Sequence, residues 1–243
     1  MAEQYDSINA RRYDYQRRLE IFSPEKNQVA ALSGDLHGLK VMDLACGTGL
    51  YSRYAKRAGA DKVVGVDISA NMLKVAQKIE ESAPLGITYR LGDASRMEKI
   101  DNFDLVLAIY LFNYARTLSE LQEMCTSAFA NLRPGGRLVA LTINPLYDMR
   151  KPVWKGWYSP FTAEYAEDDC TRYATRVESS CITYYRRGFS AYEESLSSAG
   201  FEQQEWHPIS VPPSLLAGPD ASEWIVLEKN PPMIALSAQR LRS

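Results

Sequence analysis

The chain has 243 residues, enough for one large domain or one domain with a substantial insertion, and 46% of them are hydrophobic, so a sizeable core can be buried. Its 28 basic and 30 acidic residues leave a net charge of -2, which argues against a protein built to grip nucleic acid through a basic surplus. The four cysteines (Cys46, Cys125, Cys170, Cys181) form no CxxC pair, and with only His37 and His207 beside them there is no zinc-ligand spacing and no metal is expected.

The polar N-terminus MAEQYDSINARRYDYQRR lacks the apolar core of a signal peptide. No apolar run approaches the roughly 18 residues that span a bilayer. A cytoplasmic protein with reduced thiols is the expectation, with no membrane partner.

Residues 1–40 read as helical, with Tyr5, Ile8, Tyr13 and Leu19 near helical spacing, and Gly34 and Gly38 punctuate the approach to a strand over 40–44. A glycine-rich turn at 46–49 leads to a helix over 50–58, then a β-branched strand over 62–66 with Asp67 at its end. Ser69 is an N-cap for a helix whose apolar stripe is Met72, Val75, Ala76 and Ile79. A short strand over 87–90 ends at Gly92-Asp93, and 103–109 is a nearly continuous apolar run, as in a strand buried on both faces. A helix over 119–132 is followed by Pro134-Gly135-Gly136 and a buried strand over 137–143.

This alternation predicts a doubly wound α/β fold: a mostly parallel sheet with helices on both faces, its ligands held at the C-terminal strand ends where strand order reverses. Four segments, 46–49, Asp67, Asp93 and 109–113, converge on those ends. The segment 144–189 breaks the pattern. It is rich in aromatics, with two short strands over 172–179 and 181–187. Regular structure resumes with a helix over 190–199, a strand within 201–211, a helix over 221–228 and a strand over 233–237.

Glycine in the turn Cys46–Gly49 permits positive φ and close approach of backbone to ligand, ahead of a helix N-terminus. Asp67, 20 positions after Gly47, can accept from both hydroxyls of a ribose. Two residues depart from a dinucleotide site. The third glycine of a GxGxxG fingerprint is replaced by Ser52, and Asp43, four residues before Gly47, would repel a pyrophosphate but attract an ammonium group.

In the stretches VMDLACGTGLYS, VVGVDISANML, LGDAS, FDLVLAIYLFNYA and LRPGGRLVALTIN, the sequence resembles the class I, seven-stranded S-adenosylmethionine-dependent methyltransferases. The resemblance implies that FEQQEWHPIS and MIALSAQ are the last two strands of the seven, the final one antiparallel. It implies a single domain: a helical lid over 1–38, a cofactor core over 39–143, a substrate-side insertion over 144–189 after the fifth strand, and completion of the sheet over 190–243. It implies S-adenosylmethionine as donor and S-adenosylhomocysteine as product. Ala45, Gly47, Thr48 and Gly49 would pass beneath the methionine part, and Asp43 would hold its amino group. Asp67 would bind the ribose, Ile68 and Met72 would lie against the adenine, Gly92, Asp93 and Ala94 would meet its edge, and Ile109 would cover its other face. Tyr13, on the lid, would approach the donor's carboxylate or sulfonium.

Tyr13, Asn113 and Tyr114 are the candidates for orienting an acceptor, and Tyr5, Tyr114, Trp154, Trp157 and Tyr158 for binding it. Trp154, Trp157 and Tyr158 are expected nearer the pocket than Tyr173. His207, on a late strand, is as well explained by structure as by catalysis. The expected function is methylation of a small aromatic or heterocyclic acceptor at N, O or C, in secondary metabolism, by a monomer or homodimer. A nucleic-acid or protein methyltransferase and a non-catalytic S-adenosylmethionine-binding protein are the alternatives.

Overall fold

A computed structural model describes residues 10–17, 23–154, 160–166, 170–177 and 180–242. Helix α1 (Ala10–Arg17) and helix α2 (Ser23–Ser33) precede the sheet. Pro24 sits in the first turn of α2, where its missing N–H costs nothing, and Gly34 at φ 62° ends the helix, so 34–39 turns instead of continuing the helix expected through residue 40. There follow β1 (Lys40–Leu44), α3 (Leu50–Arg57), β2 (Lys62–Asp67), α4 (Ala70–Ser82), β3 (Ile87–Leu91), β4 (Phe103–Ile109), a 3-10 turn at Phe112–Tyr114, α5 (Leu118–Asn131) and β5 (Leu132–Ile143). The chain then forms β6 (Pro160–Ala166), β7 (Cys170–Val177), β8 (Ser180–Arg187), α6 (Phe189–Ala199), β9 (Glu202–Pro208), α7 (Pro213–Leu216), α8 (Ala221–Lys229) and β10 (Met233–Gln239).

The main sheet has seven strands in the order β3-β2-β1-β4-β5-β10-β9. β3, β2, β1, β4 and β5 pair in parallel, and β10 runs antiparallel to both β5 and β9. Strand order therefore reverses between β1 and β4, which opens a crevice at their C-terminal ends. Leu105, Val106, Leu107 and Ala108 are fully buried, as a central strand covered on both faces requires.

Helices α5 and α6 cover one face through Leu121, Met124, Ala128, Tyr192 and Leu196. Val29 of α2, Ala55 of α3 and Trp224 and Leu227 of α8 cover the other. Ser69 caps α4 by accepting from the Met72 N–H, as its sequence position predicts. β5 starts five residues before its expected beginning. Pro134, Gly135 and Gly136 lie inside an irregularity of the β4–β5 pairing and not in a turn ahead of the strand.

The insertion forms an antiparallel sheet, β6-β7-β8, whose first strand the sequence did not reveal. Arg187 at the end of β8 is buried and donates to the carbonyls of Ala115 and Arg116, which fixes this small sheet to the segment after β4. Among the described residues, no helix is long and apolar enough to cross a membrane.

Candidate active site

The crevice between β1 and β4 is a cleft of about 730 Å³, open mouth included. Its floor is the turn after β1, where Ala45, Gly47 and Gly49 all take positive φ (64°, 54° and 79°). A Cβ on Gly47 would meet nothing within 4 Å, so its bare face opens on free space, whereas a Cβ on Gly49 would run into the Tyr89 ring. Thr48 and Ala45 line the cleft beside Gly47, and Gly49 stands behind them as the N-cap of α3.

Two acids support this turn. Asp67 Oδ2 accepts from the Gly47 N–H at 2.7 Å and Oδ1 from the Ser69 N–H at 2.8 Å, so one carboxylate joins the end of β2 to the turn and to the start of α4. Burial pushes its pKa up against those hydrogen bonds. Asp43 is fully buried and accepts from Ser52 Oγ at 2.5 Å, and burial raises its carboxyl to about 6.

Along the cleft, Ile68 and Met72 form one wall and Ile109 the other. Gly92, Asp93 and Ala94 line an adjoining recess that shares Ala45, Asp67 and Ile68 with the cleft. Asp93 Oδ1 also caps its own turn by accepting from Ser95 N–H and Oγ–H. The thirteen cofactor candidates thus lie on one continuous surface, apart from Gly49 directly behind it.

The acceptor candidates divide. Tyr13 and Tyr114 line the cleft mouth. Asn113 is buried beneath it with Oδ1 unpaired, outside the lining. Trp154 does not reach the cleft. It is 1% exposed and packs on Trp224 at a ring separation of 6.2 Å, because the chain after β5 folds back under α8. Tyr5, Trp157 and Tyr158 fall outside the described residues.

Tyr173 does not line the cleft either. It stacks on Tyr184 of β8 at 5.4 Å in a buried cluster with Ala10 and Met72, and the cleft-lining Tyr13 and Tyr114 pack against that cluster. Period-two alternation along β7 points Tyr173 this way, a signal available once the strand is recognised. His207 lies on β9, where Nε2 shares a hydrogen bond with Ser237 Oγ, away from the cleft.

Sequence reading placed 46–49 and 109–113 at the ligand-binding strand ends without giving Cys46 or Tyr110 a role, and it missed Leu50 and Tyr51 in the lining. Tyr110 follows Ile109 immediately but takes φ 59°, which nothing in its side chain signals. It also missed a buried cluster that ties α1 to the glycine turn. Asp14 of α1 is paired with Arg53 of α3 at 2.8 Å and accepts from Thr48 Oγ1 at 2.8 Å, all three side chains buried.

A methyltransferase-domain family model matches residues 41–136. The demethylmenaquinone methyltransferase of Lactiplantibacillus plantarum is 32% identical over 171 residues, covering 67% of this chain and 70% of that protein. The chain belongs to the class I S-adenosylmethionine-dependent methyltransferases. The ubiquinone biosynthesis O-methyltransferase of Nitrobacter winogradskyi is 35% identical over 109 residues, covering 45% of this methyltransferase and 40% of that one. Against several such relatives the methyltransferase matches about half of the relative's length or less. A crystal structure of an S-adenosylmethionine-dependent methyltransferase from Mesorhizobium loti, 22% identical, shares the fold with a TM-score of 0.64 over 89% of this methyltransferase and 98% of that chain. The open face of Gly47, between acids at the ends of β1, β2 and β3, fits an elongated donor that carries an ammonium and a ribose.

Proposed function

We propose that this methyltransferase transfers a methyl group from S-adenosylmethionine to a small planar aromatic acceptor. Ring-hydroxylated compounds of the quinol type are the first to test. The observation that carries the acceptor class is the pair of cleft-lining rings Tyr13 and Tyr114, which rest against a buried cluster that holds the stacked pair Tyr173–Tyr184 and Met72. Flat, rigid rings at a mouth of this kind favour a flat ligand. The names of the relatives, which act in ubiquinone and menaquinone routes, support a biosynthetic role of the same kind.

The bound donor supplies a methyl group already activated by its sulfonium. Asp67 accepts from the ribose hydroxyls and Asp93 from the adenine amine. Ile68, Met72 and Ile109 enclose the base, with Gly92 and Ala94 at its edge, while Ala45, Gly47 and Thr48 pass beneath the methionine part and Gly49 keeps the turn in shape. Tyr13 covers the donor from the lid. With a good leaving group in place, the chain's task is alignment of donor and acceptor and exclusion of water, both served by α1 and the insertion closing over the cleft. Four free thiols support a cytoplasmic setting, and a monomer or homodimer suffices for this chemistry.

Transfer of a labelled methyl group to a panel of a catechol, demethylmenaquinol, a planar nitrogen heterocycle and tRNA tests the reading. Transfer to a small aromatic and not to tRNA is expected. Transfer to tRNA alone, or donor binding with no transfer to any member, overturns it.

A further inference from the structure

Strand β8 meets the segment after β4 twice, once through side chains and once through the main chain. Tyr184 belongs to the buried cluster against which Tyr114 packs. Three residues on, Arg187 Nη2 donates to the carbonyls of Ala115 at 3.2 Å and Arg116 at 2.7 Å, the two residues that follow Tyr114. The 3-10 turn that carries Tyr114 is closed by Tyr114 N–H on the Leu111 carbonyl at 3.0 Å and Ala115 N–H on the Phe112 carbonyl at 3.2 Å. So short a turn has little stability of its own, and the path of the chain beyond it depends on what holds that chain.

Arg187 is an unfavourable choice for a residue that only joins two pieces of a fold. It is 2% exposed, its Nε and Nη1 have no hydrogen-bond partner, and no carboxylate among the described residues pairs with it. A buried charge without a counter-ion opposes stability, and apolar packing often serves as well at lower cost. Arg187 does not line the cleft, whereas Tyr114 does. We infer that Arg187 is a positioning residue for the acceptor. By holding the Ala115 and Arg116 carbonyls it fixes how the Tyr114 ring stands in the cleft mouth, and so sets acceptor affinity without touching donor or acceptor. The inference rests on the reading of that mouth as the acceptor site.

Two measurements on the full chain test it, and the first needs no acceptor. In Arg187→Met, amide exchange at Tyr114 and Ala115 should accelerate about tenfold, while S-adenosylhomocysteine affinity changes by less than about twofold. The second uses the member of the acceptor panel that is methylated fastest. Its KM should rise about tenfold in Arg187→Met, with kcat changed less. Tyr114→Ala alone and Tyr114→Ala/Arg187→Met should share one KM, because the ring that Arg187 positions is gone from both. Arg187→Lys, which keeps the charge on a shorter reach, should give the same pattern at smaller size, and it decides the matter if Arg187→Met does not fold. Unchanged exchange at Tyr114 and Ala115, an equal loss of S-adenosylhomocysteine affinity, or KM losses that add in the double variant overturns the inference. Faster exchange with no transfer to any panel member supports the hold on Tyr114 and strikes only the acceptor reading.

Discussion

Ser52 Oγ donates to Asp43 Oδ2 at 2.5 Å, so the two residues that set this chain apart from a dinucleotide site are bonded to each other. Where a dinucleotide fingerprint has its third glycine, this chain has the hydroxyl that makes a buried acid tolerable. The acid stays partly in its neutral form. Its pKa is raised from 3.8 to about 6 by burial, the Ser52 hydrogen bond opposing. An acid raised on folding favours the protonated protein. Its contribution to stability is full below about pH 3.8 and is lost as pH rises through about 6. The unfolding free energy of the wild type should therefore fall relative to Asp43→Asn by about 1.4 kcal/mol per pH unit within that window. Melting curves of both proteins from pH 4 to 7 check this, and parallel profiles would refute it.

The Asp14–Arg53 pair ties α1 to the glycine turn, because Arg53 also donates to the Thr48 carbonyl at 2.5 Å. Removing one member of a buried pair costs about 3–5 kcal/mol, while replacing both with apolar residues is often neutral. Detachment of α1 caps the penalty for Asp14→Leu. Arg53→Met should lower the melting temperature more than the Asp14→Leu/Arg53→Met double variant does. Amide exchange within residues 10–17 should accelerate in either single variant. Unchanged exchange there would show that the pair does not hold α1.

Gly47 and Gly49 should respond differently to alanine. Both have positive φ, which costs about 1–2 kcal/mol for alanine. At Gly47 the new methyl group enters open cleft, so Gly47→Ala should lose donor affinity out of proportion to stability. At Gly49 it collides with Tyr89, so Gly49→Ala should lose stability first. Denaturant melts paired with S-adenosylhomocysteine titrations distinguish the two. The same ratio of losses in both variants would contradict the assignment.

Trp154→Ala should destabilise by about 3–5 kcal/mol, as expected for a large aromatic removed from a core. S-adenosylhomocysteine affinity, measured well below the melting temperature, should stay near wild type because Trp154 packs on Trp224 and not on the cleft. A selective loss of ligand affinity with normal stability would return Trp154 to the binding site.

That the candidate donor residues share one cleft was legible because its determinants are local. A GxG turn, an acid at a strand end and a strand–helix alternation each lie within a few residues, and backbone geometry carries them together. Asp67, Asp93, Gly47 and Ile109 follow from strand ends alone. The acceptor side depends on where a long insertion folds back, which no local pattern records. Trp154 and Tyr173 are equally aromatic, and only the way the insertion folds puts Tyr173 in the cluster against which Tyr13 and Tyr114 pack and Trp154 in the one beneath α8.

The small sheet β6-β7-β8 shares no strand with the main sheet, and it enters and leaves the chain between β5 and α6. Lineages could therefore exchange this segment and acquire new acceptors while the donor machinery stayed under separate selection. The graft would have to carry only two obligations: aromatic side chains to meet Tyr114, and a basic residue at the exit to hold the Ala115 and Arg116 carbonyls as Arg187 does.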